Sequence, residues 1–136
     1  MPRHESKTLS TKNEYYLPRN KYLELYYFCR QYDDWKKEYE SLGSVQAFRY
    51  EEKIKSPDPS DPTFNIAARR LELFHKMELV EQTAIEANPE LARFILMNVT
   101  DGAGFNYMDN RFIVPCCEKS FYKFRRRFFY LLARKR

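Results

Sequence analysis

The sequence predicts an all-α protein: a helical core with a C-terminal helix-turn-helix. Only three of its 136 residues are glycine, whereas a β-rich fold needs many turn positions with positive φ. Three prolines, Pro18, Pro62 and Pro89, precede segments whose apolar residues recur at helical spacing. Proline is favoured in the first turn of a helix because its missing N–H has no intrahelical partner there. The low glycine content and the positions of the prolines therefore both favour helices.

The N-terminal part of the chain divides into an arm and two helices. Residues 1–16 show no apolar periodicity and are predicted to be a disordered N-terminal arm. Residues 17–42 are predicted to form two helices. The apolar face of the first comprises Tyr22, Leu25, Tyr26 and Cys29. Asp33 or Asp34 is expected to cap the second, a short helix that Gly43 ends.

A connector and two core helices follow. Residues 43–60 have no apolar stripe at helical spacing, and their last residues are polar with prolines between them. They are therefore predicted to be a flexible connector. Residues 61–101 are predicted to form the core helices. The first begins near Pro62 and runs to about residue 87. It has two apolar stripes, one through Ala67, Leu71 and Phe74 and one through Leu73, Met77, Val80 and Ala84. Asn88 and Pro89 are expected to start the next helix, which Gly102 terminates.

Residues 102–136 are predicted to form a helix-turn-helix DNA-binding region. A short helix over about 105–110 is followed by a turn that contains Pro115, which prevents a continuous helix. The last helix is predicted to run from about Glu118 to Arg134. A short helix, a tight turn and a long basic helix are the arrangement in which the second helix reads DNA.

The last helix has two faces when its residues are placed at about 100° intervals. The predicted buried face comprises Phe121, Phe124, Phe128, Leu131 and Leu132. The opposite face is basic. Seven residues form the candidate DNA-binding set: Lys119, Ser120, Tyr122, Lys123, Arg126, Arg127 and Arg134. Arginine and lysine can contact phosphates or guanine edges, and Arg134 to Arg136 at the helix end suit phosphates best.

The charge distribution supports a polyanionic partner. Residues 101–136 contain nine Lys and Arg against three acids, a net charge of +6, whereas residues 1–100 have a net charge of −1. Charge concentrated in one segment is typical of nucleic-acid binding. A solvated basic face, or a tail that keeps the chain soluble, is the alternative interpretation.

No pattern in the sequence indicates an enzyme, a cofactor or a metal. Cys29, Cys116 and Cys117 are an odd number with an adjacent pair, which is not a disulfide framework and fits a reducing compartment. His4 and His75 lie far from these cysteines in sequence, so zinc-ligand spacing is missing. No apolar run is long enough to span a membrane and no signal peptide is visible, so a cytoplasmic location is expected.

Five aromatic residues could stack on single-stranded bases, but their helical spacing favours a place in the core or in a subunit interface: Tyr22, Tyr26, Tyr27, Phe28 and Tyr32.

Three blocks carry a resemblance: YYLPRNKYLELYYFCRQYDDWKKEY, AARRLELFHKMELVEQTAIEANPEL and FIVPCCEKSFYKFRRRFFYLLARKR. They resemble small phage and prophage proteins similar to late-gene transcription regulators of the RinA and ArpU type, and to the terminal helix-turn-helix of sigma-70-like factors. Cys117 departs from the pattern, which usually has a small residue after the turn cysteine. The resemblance implies a DNA-binding regulator in the cytoplasm of a bacterial host.

The sequence therefore predicts a sequence-specific phage transcription regulator that binds double-stranded DNA, with host RNA polymerase as a further candidate partner. Regulators of this kind usually dimerise, and the doubly striped helix 61–87 is the candidate homodimer element. Two alternatives remain open. One is a DNA-packaging factor like a small terminase subunit, which would assemble as a ring. The other is a phage inhibitor that binds a host protein.

Overall fold

The computed structural model describes residues 10–52 and 62–136, with the side chains of 46–52, 62 and 63 excepted. Within that part of the chain the secondary structure is α-helical and contains no strand, which confirms the predicted all-α class. The helices are α1 (Arg19–Cys29), α2 (Tyr32–Glu52), α3 (Pro62–Ala87), α4 (Ala92–Asp101), α5 (Phe105–Phe112) and α6 (Glu118–Lys135). None of them is both long and apolar enough to cross a membrane.

The chain forms two compact units. The first comprises Met1–Gln31 with Leu79–Arg136, and the second comprises Tyr32–Glu78. In the first unit, α6 packs against α1 and α4, and α1 packs against α4. The buried side chains of this unit include Leu25, Cys29, Val80, Ile95, Met108, Phe121, Phe128 and Leu132. The basic helix is therefore a central element of the first unit and not an appended tail.

The second unit pairs α2 with the N-terminal part of α3. The Arg69 guanidinium donates two hydrogen bonds to the Glu38 carboxylate, at 3.0 and 2.9 Å. Arg70 donates to the Tyr39 carbonyl at 3.2 Å, and its guanidinium lies 4.0 Å from the centre of the Tyr39 ring. Bidentate and cation–π contacts of this kind fix the orientation of two helices more than they add stability at a partly exposed position.

The predicted end of the second helix at Gly43 is wrong. Helix α2 continues to Glu52, so residues 43–52 are helical where a flexible connector is predicted. Residues 53–60 of that connector lie outside the described part of the chain. Gly43 has no positive φ, and a Cβ at this position would lie 2.9 Å from an Arg70 guanidinium nitrogen. A glycine within a helix costs only about 1 kcal/mol relative to alanine, and here it makes room for the Arg70 side chain.

Two predicted helix starts also differ in the structure. Asp33 and Asp34 lie in the first turn of α2 and not at its cap, where their charge still favours the helix dipole. Helix α4 begins at Ala92 and not at Asn88, because the Asn88 side chain accepts hydrogen bonds from the backbone N–H groups of Glu90 and Leu91, at 2.9 and 3.3 Å. This side chain closes a separate turn ahead of the helix.

Gly102 ends α4 as predicted. Its φ of 77° is left-handed, the conformation that glycine adopts without steric cost. The Arg30 guanidinium lies so close that a Cβ on Gly102 would collide with it. The glycine is therefore required both by backbone conformation and by the neighbouring arginine.

The first residues of the predicted disordered arm, 1–9, lie outside the described part of the chain, but residues 10–16 form turns. The backbone N–H of Tyr15 donates to the Asn13 side chain at 2.8 Å, and that of Asn13 donates to the Ser10 carbonyl at 2.9 Å. Asparagine and serine stabilise such local turns through their side chains and backbone. The prediction of disorder is thus wrong for residues 10–16.

Candidate nucleic-acid interface

The buried face of α6 differs from the predicted one. Its buried residues are Phe121, Arg125, Phe128, Phe129 and Leu132. Phe124 and Leu131, which were expected in the core, are half-buried. At about 100° per residue, the observed face is rotated by about 50° from the predicted one. The reason is that an arginine, and not a phenylalanine, occupies the centre of the packed surface.

Arg125 is the residue around which α6 is packed. Its side chain is 7% exposed. Its Nε donates to the Asn98 Oδ1 at 2.5 Å, and one terminal nitrogen donates to the Tyr22 hydroxyl at 3.0 Å. The guanidinium also lies 5.0 Å from the centre of the Phe129 ring. A buried cation is tolerated only when its donors are satisfied, and these contacts tie α6 to α1 and α4.

Asn98 connects this arginine to the end of α4. Its side-chain amide donates to the Ala103 carbonyl at 2.8 Å, while its oxygen accepts from Arg125. The network therefore runs from α1, through α6, to the loop that precedes α5. It fixes the rotation of α6 about its axis and, with it, the direction in which the opposite face points.

The basic face of α6 lies opposite the observed core face. Lys119, Lys123 and Arg134 are exposed, and Arg126 and Arg127 are half-buried. None of these five cations forms a salt bridge with a carboxylate of the described residues, in contrast to the last two residues of the chain. Lys135 pairs with Glu86 at 2.8 Å, and Arg136 pairs with Glu24 at 3.1 Å.

The five unpaired cations of α6, Lys119, Lys123, Arg126, Arg127 and Arg134, are called the basic face below. Cations on one side of a helix repel one another unless an anion lies among them. Lys135 and Arg136 are paired with Glu86 and Glu24, so they are less available than the basic face to an external anion. At the end of the helix, Arg134 has no carboxylate partner among the described residues, and its guanidinium faces Tyr130.

The other candidate residues occupy distinct positions. Ser120 is half-buried and accepts a hydrogen bond from the Cys117 thiol at 3.3 Å, next to the N-terminus of α6. Tyr122 is half-buried and packs edge-on against Phe121, with ring centres 5.3 Å apart. The Arg126 Nε is buried without a hydrogen-bond partner among the described residues. This donor of Arg126 is therefore not engaged by any of the described residues.

The turn between α5 and α6 has an unusual backbone. Ile113, which is 79% exposed, has a φ of 59°, a conformation that β-branched residues rarely adopt. Asp109 accepts hydrogen bonds from the backbone of Ile113 and of the residue that follows it. Its carbonyl accepts from the Ile113 N–H and its carboxylate accepts from the Val114 N–H, each at 3.0 Å. Val114 is buried and anchors the turn, so the direction in which α6 starts is fixed.

The N-terminal segment contributes to this surface, which the sequence did not indicate. The Tyr15 ring lies 5.8 Å from the Tyr130 ring on α6. A groove of about 560 Å³ opens beside it, lined by Tyr15, Ala87, Asn88, Pro89, Glu90, Lys123, Phe124 and Arg127. The lack of apolar periodicity in residues 1–16 concealed the packing of Tyr15, since a single aromatic residue gives no pattern.

The three cysteines are in different environments. Burial raises the pKa of Cys29 to about 12 and also raises the pKa of Cys116. When the Cys117 thiol ionises, the Ser120 hydroxyl and backbone N–H can donate to the thiolate, which lowers the pKa of Cys117, a residue exposed at the N-cap of α6. All three are free thiols. Cys117 is therefore the most readily ionised of them.

No protein-family model, curated protein or solved structure matches this chain. Its function is therefore argued from the charge and geometry of α6 and its neighbours.

Proposed function

We propose that this protein binds double-stranded DNA through the basic face of α6 and acts as a sequence-specific transcription regulator. The observation that carries the proposal is the set of five α6 cations with no carboxylate partner in the described chain, opposite a face anchored by Arg125. Phosphate groups would supply the missing anions, and a fixed helix presents its cations without the cost of ordering the backbone.

The segment from α5 to α6 would act as the helix-turn-helix. The five residues between the two helices exceed the usual three or four. The positive φ of Ile113 gives the turn the kind of backbone that glycine often provides at such turns. In this arrangement the N-terminal half of α6 enters the major groove. Lys119, Lys123 and Arg126 would then approach base edges, with Ser120 and Tyr122 beside them.

Arg127 and Arg134 would contact the phosphate backbone. Both lie on the basic face, and Arg134 is exposed in the last turn of α6. Phosphate contacts position a protein on DNA, whereas contacts to base edges determine specificity. This division of roles predicts different consequences for substitutions at the two ends of the helix.

Two copies of the protein would bind two DNA half-sites. Support comes from α3, on which the predicted second stripe is buried while Leu71 and Phe74 of the first stripe are 55% and 44% exposed. Large exposed apolar side chains in one stripe are typical of an interface. The resemblance to RinA- and ArpU-type regulators favours the same arrangement, in the cytoplasm of a bacterial host and with RNA polymerase as a second partner.

The first experiment selects binding sites from random duplexes with the full chain, and then titrates the selected duplex across a salt series. Arg126→Ala is expected to weaken binding by about 1–3 kcal/mol and to relax base preference if this residue contacts a base. Arg134→Ala is expected to weaken binding to all duplexes and to reduce the salt slope by about one unit. Lys37→Ala removes one exposed cation from α2 and serves as the matched control.

Unchanged duplex affinity for both Lys123→Ala and Arg126→Ala would exclude α6 as the reading helix. The oligomeric mass provides a second test. A dimer that Leu71→Glu dissociates is expected. A ring of eight or more subunits would instead favour a DNA-packaging factor, and tight binding of a host protein with weak DNA binding would favour an inhibitor.

A further inference from the structure

The groove beside α6 joins two cations of the basic face to residues that the binding of a duplex does not use. On one side are Lys123 and Arg127, which lie one helical turn apart on the basic face. On the other is the turn that contains Pro89 and Glu90. Its volume of about 560 Å³ is within the range of small-ligand sites, about 300–1,000 Å³.

Opposite charges line this groove without neutralising each other. Glu90 forms no salt bridge with Lys123 or Arg127 within the described chain, although all three line the same space. Unpaired groups of opposite sign on facing walls favour a ligand that has an anionic end and a hydrogen-bond donor at the other end.

Local hydrogen bonds hold the backbone of the wall that contains Glu90. The Asn88 side chain accepts hydrogen bonds from the N–H groups of Glu90 and Leu91, at 2.9 and 3.3 Å. The Leu91 N–H also approaches the Asn88 carbonyl, at 3.2 Å. The backbone that carries the Glu90 carboxylate is thus set before a ligand arrives, which reduces the entropic cost of binding.

Two aromatic rings complete the site. Phe124 is half-buried because the core face of α6 is centred on Arg125, so part of its ring borders the groove. Tyr15 borders the groove from the N-terminal segment and is held against Tyr130. Flat aromatic surfaces beside cations are what unpaired nucleobases bind, because every base has a π face.

We propose that this groove binds one unpaired nucleotide whose base has an exocyclic amino group. The phosphate lies between Lys123 and Arg127, the base stacks against Phe124 and Tyr15, and the amino group donates to the Glu90 carboxylate. Carboxylates accept hydrogen bonds from base amino groups, which thymine lacks. The proposal rests on the proposed nucleic-acid function of α6 and adds a preference at one nucleotide.

The nucleotide can be free or part of a strand, and the test distinguishes the two. Nucleoside 5′-monophosphates and short single-stranded homopolymers of adenine, cytosine and thymine are titrated into the full chain by calorimetry. Adenine and cytosine ligands are expected to bind about tenfold more tightly than thymine ligands. Binding of monophosphates identifies a free nucleotide, and binding of homopolymers alone identifies a strand.

Four variants locate the site. Glu90→Ala is expected to abolish the preference over thymine. Tyr15→Leu, which keeps the apolar volume but removes the ring, is expected to weaken every nucleotide by about fivefold or more. Tyr107→Leu is the matched control, since this tyrosine is half exposed on α5. Lys119→Ala, on the basic face but outside the groove, is expected to weaken duplex binding and to leave nucleotide binding unchanged.

The outcomes separate this proposal from the function of α6. If Lys119→Ala weakens duplex binding while Glu90→Ala and Tyr15→Leu change no nucleotide affinity, the groove proposal is wrong and duplex recognition stands. If nucleotides bind with the stated preference and no duplex binds, the groove is supported and duplex recognition is wrong. Absence of any difference between adenine, cytosine and thymine ligands overturns the groove proposal.

Discussion

Replacement of Arg125 tests whether the basic helix is positioned by a buried cation. Arg125→Met keeps an unbranched stem but removes the hydrogen bonds to Asn98 and Tyr22, at 2.5 and 3.0 Å. Hydrogen bonds to charged groups contribute about 1.5–3 kcal/mol each. Tyr22 and Asn98 are only half-buried, so water can replace part of the loss. The expected decrease in the free energy of unfolding is therefore about 2–4 kcal/mol.

The assay is urea denaturation monitored by circular dichroism, with the slope of the transition compared between variants. Arg125→Lys keeps the charge but presents no planar fork, so it is expected to lose most of the same stability. A double-mutant cycle with Asn98→Ala isolates the coupling between the two side chains, expected at about 1–3 kcal/mol.

Replacement of a buried ion by a well-packed apolar residue can also stabilise a protein. If Arg125→Met were as stable as the natural sequence, the guanidinium would not be needed to hold α6, and the argument from a fixed basic face would fail. A zero coupling energy with Asn98 would have the same consequence.

Three further predictions follow from burial, backbone conformation and ionisation. Phe128→Ala is expected to cost about 3–5 kcal/mol in the free energy of unfolding, and Phe124→Ala less than half as much, because only Phe128 is fully buried. Gly102→Ala is expected to cost about 1–2 kcal/mol, whereas Gly104→Ala, with a negative φ and open space for a Cβ, is expected to stay within about 0.5 kcal/mol. Iodoacetamide is expected to alkylate Cys117 at lower pH than a free cysteine, because its lowered pKa yields thiolate at lower pH.

Each of these has a clear contrary result. Equal losses at Phe128 and Phe124 would restore the buried face predicted from the sequence. Equal stability of the two glycine variants would remove the requirement for a left-handed residue at the end of α4. A Cys117→Ser variant of unchanged thermal stability is the control that identifies the alkylated residue. Alkylation of Cys117 with the pH profile of a free cysteine would contradict the hydrogen bond with Ser120.

Much of the helical framework was predictable because it depends on local signals. The ends of α3 and α6, the break around Pro115 and the glycine stop at Gly102 follow from proline, glycine and apolar spacing. These signals act within a few residues along the chain, so they need no knowledge of tertiary contacts.

The errors occur where distant contacts decide the local structure. Gly43 was predicted to end a helix, but α2 continues through it. The side chain of Arg70, which lies 27 positions away in the sequence, occupies the space beside this glycine. Asn88 is a local exception: its pattern predicts a helix cap, yet its side chain closes a separate turn through hydrogen bonds that reach only two and three residues ahead. Residues 10–16 read as disordered, although Tyr15 packs against Tyr130.

In the candidate site, too, the features set by local sequence were predictable and those set by tertiary contacts were not. The basic face of α6 was predictable from charge and periodicity, and the structure leaves its five cations without salt bridges in the described chain. The core face was misplaced by about 50° because an arginine is normally assigned to the surface. Only the partners Asn98 and Tyr22 explain its burial. The groove wall at Glu90 required tertiary structure, since no motif connects it to α6.

The most direct test of DNA recognition by α6 is a footprint on a duplex selected by the natural protein, measured together with the affinities of Lys123→Ala and Arg126→Ala. A protected site is expected, with both variants losing specific affinity and the Lys37→Ala control retaining it. Enrichment of no sequence by the natural protein, or unchanged specific affinity of both variants, would contradict the assignment of α6 as the DNA-reading helix.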